Sequence, residues 1–155
     1  VQRILVTMGA GAAPPVRGLR PVAAVAPGVA AATGLSLQQL AAALVGQLHP
    51  AAVVCVDSLC SAEGQRLGRT VQFSDSGLYP AQADHTRHLT RDTLGVPVVA
   101  AGIPTLMQAQ EGADLVVTPR ALDSVIAHGA ALLAGSVNRA LQPRLTVQQL
   151  CWLTG

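Results

Sequence analysis

The chain has 155 residues, half of them hydrophobic, and a net charge of +2, which suits one folded domain with a substantial core. The basic residues are all arginines and are scattered along the chain, so the pattern excludes the clustered basic surface of a nucleic-acid-binding protein. Three cysteines at irregular spacing do not form a disulfide framework, and no apolar stretch reaches the roughly 18 residues of a transmembrane helix.

The first half of the chain predicts one strand and one helix before its central segment. Ile4–Met8 is a short apolar run of high β-propensity. Leucines then recur at helical spacing and predict an amphipathic helix over 37–48, with Ser36 as its N-cap. His49 and Pro50 end that helix.

The central segment contains two apolar runs that each stop at polar residues. Residues 52–56 predict a strand that ends at Asp57, and residues 70–73 predict a strand that ends at Ser74-Asp75-Ser76-Gly77. In α/β sheets, ligands and chemistry gather beyond the carboxyl ends of strands. Asp57 is therefore the first candidate for a functional residue.

The rest of the chain alternates between strand and helix patterns. The predicted elements are a strand over 96–101, a short helix over 103–110 with Pro104 in its first turn, and a strand over 115–117. A helix from Thr118-Pro119 to about 134 follows, which residues 138–142 continue after a kink at Gly135, and a closing helix runs from Thr146 through Leu153. This alternation predicts an α/β fold, a three-layer sandwich around a mostly parallel sheet.

Several motifs, in order along the chain, resemble those of the germination protease family. They are Arg20-Pro21-Val22, Val56-Asp57-Ser58-Leu59, Ser74-Asp75-Ser76-Gly77 within the T-V-Q-F-S-D-S-G run, Thr93-Leu94-Gly95-Val96-Pro97-Val98, Gly102-Ile103-Pro104-Thr105, and Val116-Val117-Thr118-Pro119. The long T-L-G-V-P-V run is the most specific of them, together with the block that joins Asp57 to S-D-S-G-L-Y-P. The resemblance covers nearly the whole chain.

The resemblance implies a cytoplasmic endopeptidase of the spore core that degrades small acid-soluble spore proteins at germination. It implies a zymogen that matures by self-cleavage, a homotetramer, a fold like that of the hydrogenase-maturation endopeptidases (phosphorylase/hydrolase-like), and no cofactor. It also implies an aspartic mechanism with two essential aspartates, and Asp57 stands at the position of the second. We expect residues 1–155 to form a single peptidase-like domain.

The first essential aspartate of the family belongs to a D-A-L-G-P segment that precedes the first strand. The sequence begins at Val1, almost directly in the predicted first strand, and does not contain that segment. We therefore expect that the N-terminal part of the family domain is missing. Because aspartic hydrolysis needs two carboxylates that share a proton, we also expect the chain alone to be inactive or nearly so.

Other polar residues are weaker candidates. Ser74 and Asp75 are expected to line the cleft; the D-S-G triplet superficially resembles that of pepsin-like proteases, but the α/β pattern argues against their all-β fold. His85 and His88, three residues apart, are a weak alternative metal site without a clear third ligand.

Two other functions stay open. The chain could act as a non-catalytic, degenerate member that serves in assembly, which light scattering and pull-down with a full-length relative would test. It could instead be a metal-dependent maturation-type endopeptidase, which metal analysis of the purified protein would test. We expect no membrane contact and no direct nucleic-acid partner.

Overall fold

The computed structural model describes residues 3–8, 18–28, 34–79, 88–108 and 116–155. The chain divides into two compact units, a larger one of residues 27–126 and a smaller one of residues 1–26 and 127–155. Each unit is described by itself, and the expectation of a single domain stays a prediction. None of the described helices combines the length and the apolarity that a membrane crossing requires.

The larger unit begins with helix α1, Leu37–Leu48, whose bounds confirm the prediction. Ser36 accepts a hydrogen bond from the Gln39 amide, and the Gln39 side chain accepts one from the Ser36 amide, which completes a capping box. His49 ends the helix in a left-handed conformation at φ 45°. Local sequence signals therefore fix both ends of this helix.

The sheet of the larger unit has four strands: β1 (Val53–Ser61), β2 (Gln72–Ser74), β3 (Val98–Gln108) and β4 (Val116–Val117). A one-turn helix α2, Arg91–Leu94, precedes β3. The central strand is β3, which pairs with β1 along one edge and with β2 and β4, one after the other, along the opposite edge.

The sheet is mixed, whereas the sequence predicts a mostly parallel one. The long pairing of β1 with β3 is parallel, but β2 and β4 both run antiparallel to β3. The connection from β1 to β2, residues 62–71, is shorter than the dozen or so residues that a parallel crossover needs. The chain therefore turns back, and β2 runs opposite to β1.

One face of the sheet is covered by helices. Cys55, Val98 and Ala100 are buried on this face together with Leu78, Leu89 and Leu94, and residues of α1 pack against the same cluster: Leu37, Ala41 and Val45. On the opposite face, the side chains of Val54, Val56, Phe73 and Val99 are exposed. The described part of the larger unit thus has two layers, and the third layer of the predicted sandwich stays a proposal.

Strand β3 replaces a predicted helix. The sequence predicts a helix from Ile103, but Ile103, Pro104 and Met107 are paired with β1 as a continuation of the strand. Pro104 lies between the stretches of β3 that pair with β2 and β4, where its missing N–H leaves no ladder bond unmade, and its carbonyl accepts from the Gly68 amide at 2.7 Å. Pairing with β1 therefore makes residues 103–108 a strand and not a helix. Residues 109–110 of the predicted helix lie outside the described residues.

The smaller unit contains the C-terminal part of helix α3 (Leu122–Leu141) and helix α4 (Val147–Thr154). The sequence predicts that α3 starts at Thr118 and kinks at Gly135; the helix starts at Leu122 and continues through Gly135. The closing helix, predicted from Thr146, has Thr146 as its N-cap, in a capping box with Gln149. The core of this unit comprises Val22, Leu133, Ala134 and Leu150.

The predicted first strand, Ile4–Met8, does not form a strand in the smaller unit. Two buried side-chain amides, one in the last turn of α3 and one directly after the helix, hold the N-terminal segments instead. Asn138 accepts from the Leu5 amide at 2.9 Å and donates to the Arg3 carbonyl at 2.8 Å. Gln142 accepts from the Arg20 amide and donates to the Arg20 carbonyl, both at 2.9 Å. These amides take the place that a neighbouring strand would have.

Candidate functional site

Asp57 lies inside β1, four residues before the strand ends at Ser61. The sequence predicts that the strand stops at Asp57, because the apolar run stops there. The strand continues because β3 extends equally far and pairs with it up to Met107. In this pairing, Asp57 is the register partner of Gly102.

The carboxylate of Asp57 is an exposed group on the face of the sheet that packs against the helices. Side chains alternate along a strand, so Asp57 shares a face with Cys55 and Leu59. Cys55 is buried, whereas Asp57 is exposed. Oδ1 of Asp57 accepts the Ser58 amide at 2.7 Å, and no other described residue donates a hydrogen bond to this carboxylate. One oxygen is therefore open to a water molecule or a substrate.

Gln72 lies in the same row of the sheet as Asp57. Gly102 pairs with Asp57 on one side and with Gln72 on the other, so all three residues share one face. Gly102 has no side chain, and the Leu59 side chain occupies the space that a Cβ atom at position 102 would need. The sequence analysis contains Gln72 only within a family motif, and its face follows from the register between β2 and β3.

Ser74 and Asp75 are not adjacent to Asp57. Ser74 pairs with Ala100, two residues before Gly102, which is about 7 Å along the strand and two strand spacings, about 10 Å, across the sheet. Asp75 is exposed in a turn in which the Ser74 and Ser76 hydroxyls lie 2.7 Å apart. Because β2 is antiparallel, its carboxyl end points away from that of β1. Their role as cleft-lining residues stays a prediction.

Cys55, next to Asp57 on the same face, is not suited to be a nucleophile. Burial, and secondly the negative charge of Asp57, raises the pKa of the Cys55 thiol from 9.0 to about 11. A thiol attacks as the thiolate, and this one stays protonated at neutral pH. Cys55 is therefore a packing residue in the core.

The two histidines of the alternative metal site do not form a described cluster. His85 lies outside the described residues. His88 stacks edge-on against Tyr79, with ring centroids 5.0 Å apart. Across the described ranges, no group of three or more His, Cys, Asp or Glu side chains is placed to hold a metal ion.

Comparisons with known proteins agree on one family. The family model described as germination protease matches residues 3–113. The germination protease of Clostridium perfringens is 28% identical over 180 residues, covering 85% of this chain and 55% of that protein. That of Halalkalibacterium halodurans is 37% identical over 113 residues, covering 72% of this chain and 29% of that protein. That of Bacillus licheniformis is 33% identical over 129 residues, covering 81% and 34%.

The matched region contains β1, β2 and β3, and with them Asp57, Gln72 and Gly102. The chain spans about half the length of the Clostridium relative and about a third of the other two. The family resemblance inferred from the motifs is thus confirmed by a match over more than half of the chain, and this protein belongs to the germination protease family.

Proposed function

We propose that this protein is an endopeptidase that degrades small acid-soluble spore proteins during spore germination, with Asp57 as one of two catalytic carboxylates. The observation that carries the proposal is the exposed carboxylate of Asp57, which has one oxygen without a described hydrogen bond and lies inside the region matched to the family. An exposed carboxylate with one uncommitted oxygen can accept a proton from an attacking water molecule.

The second carboxylate would complete the acid–base pair. In a paired mechanism, one ionised carboxylate activates water while its protonated partner polarises the scissile carbonyl. No carboxylate among the described residues contacts Asp57 through a hydrogen bond. The family pattern places the partner in the D-A-L-G-P segment, which this sequence does not contain. We therefore propose that this chain supplies one member of the pair.

Further properties of the family belong to the same proposal. The protein would be made as a zymogen, act as a homotetramer in the cytoplasm of the spore core, and need no cofactor. Ser74 and Asp75 would line the part of the cleft nearer to the amino ends of β1 and β3, where the substrate chain continues away from Asp57.

The experiment compares two proteins on a purified small acid-soluble spore protein, with the products read by intact-mass spectrometry. One is the chain of 155 residues; the other is extended upstream by the sequence that its gene encodes there. The proposal predicts discrete cleavage by the extended form and almost none by the shorter one. Specific cleavage by the shorter chain would overturn the missing-partner account, and no cleavage by either form would overturn the peptidase assignment.

A further inference from the structure

In the part of the chain that the structure describes, one strip of the helix-covered face of the sheet is accessible. Cys55 and Ala100, which pair with each other on this face, are both buried. In the next row toward the carboxyl end of β1, Asp57 is exposed and Gln72 is half-buried. The accessible strip therefore runs across the strands, from β1 over β3 to β2.

The surface between Asp57 and Gln72 is apolar. The Leu59 side chain lies over Gly102, with its Cγ 2.7 Å and its Cδ1 3.0 Å from the position that a Cβ atom at residue 102 would take. Leu59 is half-buried and packs against the core cluster, so part of its side chain stays accessible. The strip thus has a carboxylate at one end, an amide at the other and an apolar surface between them.

The side chain of Gln72 has no hydrogen-bond partner among the described residues. Its amide group can donate two hydrogen bonds and accept two. Because the residue is only half-buried, these polar atoms reach solvent. The amide is therefore available to a molecule that binds on the strip.

The distribution of polar residues in β2 is the reverse of what packing favours. Gln72 and Ser74 occupy the helix-covered face, where apolar residues are expected, while Phe73 on the opposite face is 63% exposed. Polar residues at positions that face a core occur mainly at functional sites. Packing gives no reason for an amide at position 72, whereas binding of a ligand does.

We propose that Gln72 binds the substrate, by donating a hydrogen bond from its side-chain amide to a substrate backbone carbonyl about three residues away from the bond at Asp57. This inference rests on the proposed peptidase function. The Cα atoms of Asp57 and Gln72 are two strand spacings apart, about 10 Å, and an extended peptide advances about 3.3 Å per residue. A substrate segment that crosses the strip therefore reaches Gln72 about three residues after it passes Asp57.

The distance between the two residues decides how Gln72 acts. A carbonyl about three residues from the reacting bond keeps its charge during hydrolysis, so its hydrogen bond to Gln72 is equally strong in the bound substrate and in the transition state. Such a bond strengthens binding and does not accelerate the chemical step. Loss of the Gln72 amide should therefore raise KM and leave kcat unchanged.

Gln72→Met tests this in the extended form, with a small acid-soluble spore protein as the substrate. Methionine keeps the length of the side chain and removes its donors. We expect KM to rise about threefold to tenfold, the worth of one hydrogen bond, at an unchanged kcat. Gln47→Met, the same change at an exposed position in the last turn of α1, is the matched control and should change neither constant.

Peptide substrates locate the contact along the substrate chain. Peptides that end two residues beyond the cleaved bond on one side lack the carbonyl that Gln72 binds. The parent protein and Gln72→Met should cleave these with the same KM, whereas peptides shortened on the other side should keep the difference. A difference that persists in both sets of peptides would contradict the assigned contact.

The stability of Gln72→Met separates substrate binding from a structural role. A side chain without a partner within the chain should leave the urea midpoint of unfolding unchanged when it is replaced. A clear loss of stability, an unchanged KM, or a fall in kcat alone would each overturn the inference. All three leave the peptidase proposal standing, because the parent protein still cleaves. Absence of cleavage by the extended parent protein would overturn both.

Discussion

Gly102 lies beside Asp57 in the parallel pairing of β1 and β3, and a Cβ atom at position 102 would overlap the backbone carbonyl oxygen of Asp57. The same atom would lie 2.7 Å from Cγ of Leu59, closer than a carbon atom can pack. The close pairing of β1 with β3 at Asp57 therefore requires a glycine at position 102.

This contact predicts that Gly102→Ala destabilises the protein. Relief of the overlap requires β1 to move away from β3, and we expect a loss of about 1–3 kcal/mol in the free energy of unfolding, measured by urea denaturation. Gly46→Ala is the matched control, since Gly46 is an exposed residue of α1 with nothing within 4 Å of an added Cβ. The control should gain up to about 1 kcal/mol from helix propensity. Equal stabilities of the two variants would refute the contact.

A second prediction concerns the buried amide of Gln142, which is 1% exposed and bonds both backbone groups of Arg20. Gln142→Leu leaves the part-buried Arg20 N–H without its partner, whereas the Arg20 carbonyl still accepts from the Thr7 hydroxyl at 2.6 Å. We therefore expect a loss of about 1–2 kcal/mol in the free energy of unfolding. Gln148→Leu, the same change at an exposed position of α4, should alter stability by less than about 0.5 kcal/mol. If both variants unfold at the same urea concentration, Gln142 does not hold the Arg20 segment.

The raised pKa of Cys55 predicts a pH dependence of stability. The folded thiol keeps its proton up to about pH 11, whereas the unfolded thiol ionises near 9.0. The unfolded state therefore binds fewer protons between these values, and stability present below pH 9 is lost as the pH rises toward 11. The decline should be smaller in Cys55→Val, and the difference between the two proteins isolates this thiol from other titrating groups.

The burial of Cys55 also predicts that a thiol reagent discriminates among the three cysteines. At pH 8, iodoacetamide should modify the exposed thiols of Cys60 and Cys151 and spare the buried thiol of Cys55. Peptide mass mapping would locate the modified residues. Rapid modification of Cys55 under native conditions would show that its thiol is accessible to solvent and would contradict its burial in the core.

Local signals in the sequence were sufficient for the helix ends. Ser36 was predicted as the N-cap of α1 and Thr146 as the start of α4, and in the structure each of the two caps its helix. Such signals act within one turn of the chain, so they do not depend on distant partners.

Features that depend on pairing with a distant strand could not be predicted from the local sequence. Pro104 in a Gly-Ile-Pro-Thr sequence is typical of a helix start, but the pairing of β3 with β1 makes it a strand residue. The position of Asp57 inside β1, and the placement of Gln72 in its row, likewise follow from the register between strands. Asp57 itself was predicted from the end of the apolar run. The residues around it could not be predicted, because they depend on which strands pair and in which register.

The most direct test of the central claim compares Asp57→Asn with Asp75→Asn in the extended form, on a small acid-soluble spore protein. Asparagine keeps an oxygen to accept the Ser58 amide, so Asp57→Asn should fold normally while lacking an ionisable carboxyl group. We expect kcat/KM to fall at least about a thousandfold in Asp57→Asn, because neither activation of water nor transfer of a proton remains at that position, and to change little in Asp75→Asn. Near-normal cleavage by a folded Asp57→Asn protein would contradict the account.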